Sequence, residues 1–227
     1  MAINIIKAGQ GWVVLNKPPG VVVHATQDPN EHDLLNEFHE YLKSETEWAT
    51  TQGWNGEVDP SVVHRLDRGV SGAILVVFDK RILAKVHAQF ETKDIEKVYR
   101  AWVHGGPKEE SGLWKFRLTK KAEGRTKPAG FPRFQVPAQT EYRVMERGEE
   151  FSKLELTLIT GRKHQLRRHT ALSKCPIVGD TRYGKDEEDL GRVMLHAYRL
   201  SFLDPWEGVE RIEVFAEEPE GFGVELS

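Results

Sequence analysis

Ala73-Ile-Leu-Val-Val-Phe78 is apolar at every position, the pattern of a strand buried on both faces. Such a strand must be covered from two sides, so the chain has to build a sizeable core. With 227 residues it is long enough to do so, as one large domain or two small ones. Directly before the strand comes a polar block, His64 to Gly72. A loop entering a buried strand is held by its scaffold, and such loops commonly carry function.

The surrounding segments read as strands in hairpin-like runs with a few helices between them. Ile3 to Ile6 and Trp12 to Asn16, joined at Gly9-Gln10-Gly11, suggest a hairpin. Lys17-Pro-Pro-Gly20 breaks it, and Val21 to His24 is expected to resume an extended run. Leu34, Leu35, Phe38, Tyr41 and Leu42 share one face of a capped helix starting near Asp33. Residues 45 to 60, with Gly53, Gly56 and Pro60, read as a loop. Asp79 and Lys80 open a second helix, with Ile82, Leu83, Val86 and Phe90 at helical spacing. Strands are expected over Lys97 to Val103, Gln139 to Met145 and Lys153 to Ile159, then a helix from about Lys163 to Ser173. Two further strands follow, around Met194 to Leu200 and Arg211 to Phe215. This order predicts an α+β fold with a mixed, largely antiparallel sheet rather than a doubly wound parallel one.

Net charge is -3, so a nucleic-acid partner requires a local basic surface and not a global one. One is available at 117 to 133, where Arg117, Lys120, Lys121, Arg125, Lys127 and Arg133 accompany one acid, Glu123. Its glycines and prolines predict a mobile basic loop. The single cysteine, Cys175, excludes an internal disulfide framework and a cysteine-rich zinc site within one chain. The first residues do not read as a secretory signal, and no apolar run is long enough to span a bilayer. A reducing, cytoplasmic setting is the expectation.

Two segments concentrate reactive side chains. Val62-Val-His-Arg-Leu-Asp-Arg-Gly-Val-Ser-Gly72 sets Asp67 between Arg65 and Arg68, an arrangement suited to an ionised carboxylate beside phosphate-binding cations. Residue types alone favour a turn of solvated charges. Thr160-Gly-Arg-Lys-His-Gln-Leu-Arg-Arg-His169 gathers Arg162, Lys163, Arg167 and Arg168 near a helix start, where cations and the helix dipole together favour phosphate. A helix with a solvated basic face is the other reading. His164 and His169 are five apart with no glutamate after His164, unlike a metalloprotease helix.

Together these segments resemble the RluA-type RNA pseudouridine synthases. His64-Arg-Leu-Asp67 with Ser71-Gly72 resembles the family's catalytic motif, and Leu15-Asn-Lys-Pro-Pro-Gly20 its opening strand and turn. Lys97-Val-Tyr-Arg-Ala101 resembles its tyrosine motif, and Pro137 to Tyr142 the next strand. Thr160 to His169, Pro176-Ile-Val-Gly-Asp180 and Tyr183-Gly184 resemble its C-terminal signature, and Met194-Leu-His-Ala197 a later strand. The resemblance implies one catalytic domain over 1–227 without an accessory RNA-binding domain, acting as a monomer on tRNA or rRNA, with no cofactor and no metal. It implies that Asp67 is the reacting carboxylate, that Arg167 pairs with it and that Tyr99 stacks on the target base. Arg65 is implied near the flipped nucleotide. Arg68, Arg162, Lys163, Lys120, Lys121 and Arg125 are the expected phosphate contacts. The 160–169 segment is most like the tRNA-modifying branch. One departure is Val70, where the family usually has threonine.

Two other readings predict different chemistry. A catalytically idle RNA-binding protein on this scaffold would lack Asp67, Tyr99 or Arg167, and all three are present. A metal-dependent hydrolase built on His64, His164 and His169 would lose activity to chelators.

Overall fold

The computed structural model describes residues 2–26, 32–119, 135–184 and 191–224. Strands β1 (Ile5–Gly9) and β2 (Trp12–Lys17) form the expected hairpin. Two helices follow, α1 (Leu34–Ser44) and α2 (Thr46–Thr51), then the short β3 (Ser61–Val62) and the central β4 (Ser71–Val77). Helix α3 (Lys80–Thr92) leads to β5 (Glu96–His104), β6 (Ser111–Thr119), β7 (Gln135–Arg147) and β8 (Phe151–Leu158). Helix α4 (Gln165–Leu172), β9 (Leu195–Leu203) and β10 (Arg211–Phe215) complete the order. All ten described strands belong to one sheet, ordered β1-β2-β4-β9-β5-β8-β7-β6, with β10 on β9 and β3 on β4. Among the described strands only β4 and β9 run parallel; every other pairing is antiparallel. The fold is therefore α+β with a mixed, largely antiparallel sheet, as the pattern of elements predicts.

The apolar run of β4 is buried at every residue because both faces of the sheet are covered there. Ile74 and Val76 face one cluster with Val13, Leu15 and α1's Phe38. Leu75 and Val77 face the other, with Trp12, Val14 and α3's Ile82 and Val86. The two-residue period of the strands sorts alternate side chains onto opposite layers. Helices α1 and α3 each start where an aspartate caps them: Asp33 accepts from the Asn36 amide, and Asp79 from the amides of Arg81 and Ile82. Losing such a cap typically costs about 1 kcal/mol.

Three expectations fail. Val21 to His24 forms no strand; among the described residues its one ladder contact is an isolated bridge from Val22 to Asp33. The Val22 and Val23 carbonyls instead accept from Leu34 and Leu35 at the start of α1. Residues 46–51, expected in a loop, are helical, and the glycines that suggested a loop only stop the helix. Arg117 and Leu118 are strand, not loop, because Trp114, Phe116 and Leu118 alternate toward the core in β6. Residues 120–133 of the expected basic loop lie outside the described residues. Among those described, no helix is long and apolar enough to cross a membrane.

Where β4 meets β9, Gly72 has φ of 114°, and a Cβ there would lie 2.3 Å from the Ala197 carbonyl oxygen. Only glycine allows that approach. The polar block ahead of β4 is thereby drawn against β9 and faces β5.

Candidate active site

Asp67 begins a tight turn closed by a 3.0 Å bond from the Val70 amide to the Asp67 carbonyl. The next two carbonyls are tied down as well. Arg68 O accepts from the Gly20 amide at 2.8 Å, and Gly69 O from the Val193 amide at 3.0 Å. Lys17 lies beneath the turn, wholly buried, and its Nζ donates to the carbonyls of Pro18, Val21 and Arg68 at 2.8, 2.8 and 3.2 Å. Burial lowers its ammonium to about 7, with the charge of Asp67 opposing the shift. Val70, in place of the family threonine, is buried against the core, and the turn is fastened by backbone bonds without its side chain.

The partner arginine arrives from α4. Arg167 Nη1 donates to Asp67 Oδ2 at 3.1 Å, while Nε and Nη2 form a fork on Asp180 at 2.7 and 2.8 Å. Asp180 is fully buried and also accepts from the backbone amides of Arg182 and Tyr183. Burial works against the Arg167 charge, but Asp180 and then Asp67 raise its pKa above the ordinary value. Two carboxylates thus share one guanidinium, one sealed in the protein and one open to a cleft.

The loop before α4 is locked by Gln165, whose amide nitrogen donates to Gln139 O and Thr140 Oγ1, and whose carbonyl accepts from Thr160 Oγ1 and the Arg162 amide. At the helix start His164 adopts the left-handed conformation, φ 53°. Its Nε2 lies 3.6 Å from Asp67 Oδ1, and its Nδ1 is 3.0 Å from the Tyr183 hydroxyl. Burial lowers the His164 pKa; Asp67 opposes this, while Arg167, Arg182 and Lys163 reinforce it. A neutral ring that accepts from Tyr183 at Nδ1 turns an N–H toward the carboxylate.

Tyr99 stands in β5 between β8 and β9, almost wholly buried. Burial, aided by the Asp67 charge, pushes its phenol well above the ordinary range, so it is a neutral hydroxyl at physiological pH. Asp67, Tyr99, His164 and Arg167 all line one cleft of about 770 Å³. Its wall mixes Leu66, Val70 and Leu195 with Lys97, Arg65, Arg162 and Lys163. The lining is therefore part apolar and part cationic.

The structure therefore brings together Asp67, Tyr99 and Arg167, with Arg65, Arg162 and Lys163 on the same cleft. Arg162 Nε also reaches the Pro137 carbonyl at 3.2 Å. Arg68 turns elsewhere, its Nε donating to Gly20 O, and it is not part of the cleft wall. Arg168 reaches Thr119 O. Lys120, Lys121 and Arg125 lie outside the described residues. His64 is committed to the fold: Nε2 accepts from the Leu75 amide, and burial lowers its pKa to about 3, with Lys97 contributing. Among the described residues no three His, Cys, Asp or Glu side chains are grouped to hold a metal ion. Three contributors were not assigned from sequence: Lys17, His164 and Asp180. A lysine embedded in a strand-to-proline break and an aspartate after Val-Gly were visible signals, but their partners are distant in sequence.

The RNA pseudouridylate synthase family matches residues 11–172, a span containing Asp67, Tyr99 and Arg167. An uncharacterized RNA pseudouridine synthase of Synechocystis is 30% identical over 97% of this chain and 67% of its own length. The tRNA pseudouridine synthase C of Pectobacterium carotovorum is 30% identical over 91% of this chain and 57% of its own. The ribosomal large subunit pseudouridine synthase D of Borreliella burgdorferi is 32% identical, over 87% and 60%. The fold matches human RNA Pseudouridylate Synthase Domain Containing 4, with a TM-score of 0.73 over 96% of this chain and 90% of that one, at 24% identity. The chain belongs to the RNA pseudouridine synthase family, whose members are isomerases. It spans between 57% and 67% of the length of the curated relatives named here.

Proposed function

We propose that this chain isomerises uridine to pseudouridine in a structured tRNA or rRNA, as a monomer in the cytoplasm, with Asp67 as the reacting carboxylate. The observation that carries this reading is the shared guanidinium. Arg167 is anchored by the sealed Asp180 and reaches out to hold one oxygen of Asp67, beside Tyr99 in a cleft of nucleotide size. The relatives named above act on tRNA and on ribosomal RNA, which supports both substrate classes.

The reaction breaks C1′–N1, forms C1′–C5, and moves the C5 proton so that N1 ends protonated. Atoms balance with no redox change. The Asp67 carboxylate serves either by attacking C1′ or by assisting formation of a glycal, and both routes need it at the sugar. The detached uracil must turn while remaining bound, and the flat Tyr99 ring beside Leu66 and Val70 permits rotation. A stacked uridine must first be extruded, at a cost of a few kcal/mol. Phosphate contacts from Arg65, Arg162 and Lys163, with Lys120, Lys121 and Arg125 from the basic segment, offset that cost.

Asp67→Asn tests the reading. It should abolish pseudouridine formation while RNA affinity stays near that of the native protein. Pseudouridine mapping of total RNA, with and without the active protein, identifies the target. Near-native turnover by the asparagine variant would refute the role given to Asp67, and RNA binding without any isomerisation by the native chain would favour the idle binding protein.

A further inference from the structure

Lys97 lies two residues before Tyr99 on β5 and lines the same cleft. Its Nζ sits 4.7 Å from the centre of the Phe90 ring. A Cβ built at Gly161 would come within 3.9 Å of the same atom. The ammonium therefore stands between the end of α3 and the loop that carries Arg162 and Lys163. Nearby acids are engaged elsewhere: Glu96 pairs with Arg199, and Asp94 accepts from Thr92. Glu141 lines the cleft from β7, and among the described residues no ion pair joins it to Lys97. Among the described residues the ring of Phe90 is the one partner given to this ammonium. Burial lowers its pKa to about 8, so it remains mostly charged at neutral pH.

A partly buried cation without a carboxylate is costly to keep unless a ligand brings the counter-charge. Among the described residues it makes no hydrogen bond, and the cations around it line the same cleft. We propose that Lys97 binds a backbone phosphate of the RNA, next to the nucleotide turned out toward Tyr99 and Asp67. A lysine suits that task as a compact point charge that follows a phosphodiester without demanding a fixed fork. Phe90 restrains the ammonium from one side and leaves the cleft side open to the anion. The inference rests on the reading of this cleft as an RNA site.

The test compares Lys97→Met and Lys97→Arg with the native protein, using unmodified tRNA transcripts as the probe. Affinity is measured from low to moderate salt, alongside thermal melting and single-turnover isomerisation. Lys97→Met should weaken binding by about tenfold at low salt, the scale of one charged hydrogen bond. It should also reduce the slope of log affinity against log salt by about 0.7–0.9, one phosphate's worth. The arginine variant should regain the slope, and the methionine variant should melt no lower than the native chain. An unchanged slope in Lys97→Met overturns the proposal, as does a rate loss at saturating RNA with unchanged affinity, which would place Lys97 on the base. A melting point lowered in Lys97→Met also overturns it, marking a structural lysine. If the slope changes as expected but the native chain makes no pseudouridine, the phosphate contact stands and the isomerase reading falls.

Discussion

Asp67 and Arg167 meet across the cleft, but the two are held by different means. The carboxylate rides on a turn whose carbonyls are tied by the Val70, Gly20 and Val193 amides and by the ammonium of Lys17. The guanidinium comes from α4 and depends on another side chain, the buried Asp180. Backbone bonds persist through most substitutions, since every residue but proline carries the donor and acceptor. A side-chain fork vanishes when either partner changes. The turn should therefore tolerate mutation, and the α4 side should not.

The largest effect is expected from Asp180→Ala. It strips a nearly buried guanidinium of its fork, and breaking such a pair costs about 3–5 kcal/mol. Denaturant unfolding should report that loss, and the rate should fall because Arg167 no longer has a fixed direction. A stability change below about 1 kcal/mol would show that α4 does not need the ion pair. Lys17→Met probes the other half. Arg68 O keeps its bond to the Gly20 amide, so a loss of about 1–2 kcal/mol is expected, smaller than for Asp180. A larger loss than for Asp180→Ala would break the contrast.

Acid should likewise act on the α4 half. His169 is fully buried on α4, and burial, then Arg168, lowers its pKa to about 4. Between that value and an unfolded value of about 6.5 the unfolded chain binds more protons, so stability falls as pH drops through this window. At pH 5 the contribution lost is about 2 kcal/mol. His169→Phe, which keeps a ring against Phe116, should remove that part of the acid sensitivity. His64, shifted in the same direction, leaves a remainder. An unfolding free energy with the same pH dependence in native and variant protein would exclude His169 as the source. The smallest effect belongs to Val70→Thr. Burying a hydroxyl is unfavourable, a local hydrogen bond offsets it, and the net should stay within about 1 kcal/mol with the rate unchanged. A marked gain in rate would mean that the turn lacks a fastening its backbone bonds do not supply.

Much of the fold was readable from local patterns. The unbroken apolar run 73–78 announced a strand covered on both faces, and Asp33 and Asp79 marked true helix caps. Misreadings came where local signals compete with distant partners. Val21 to His24 has strand-like residues, but its carbonyls are taken by α1 and Lys17. The alternation of Trp114, Phe116 and Leu118 was overshadowed by the charges that follow it. For the site, Asp67, Tyr99 and Arg167 were legible through their likeness to family motifs. Their supports were not, because Lys17 and Asp180 act through contacts that no spacing rule encodes.

By itself the sequence determined the class of fold and the order of most elements, since periodicity and capping are short-range properties of the chain, and its likeness to a known family pointed to Asp67, Tyr99 and Arg167. Only the tertiary structure decided that Arg167 spans a sealed and an open carboxylate, that Lys17 sits beneath the turn, and that Lys97 pairs with no acid among the described residues. Those outcomes depend on which strands become neighbours, and the meeting of Asp67 with Arg167, across 100 positions of chain, is made by packing rather than by proximity in sequence.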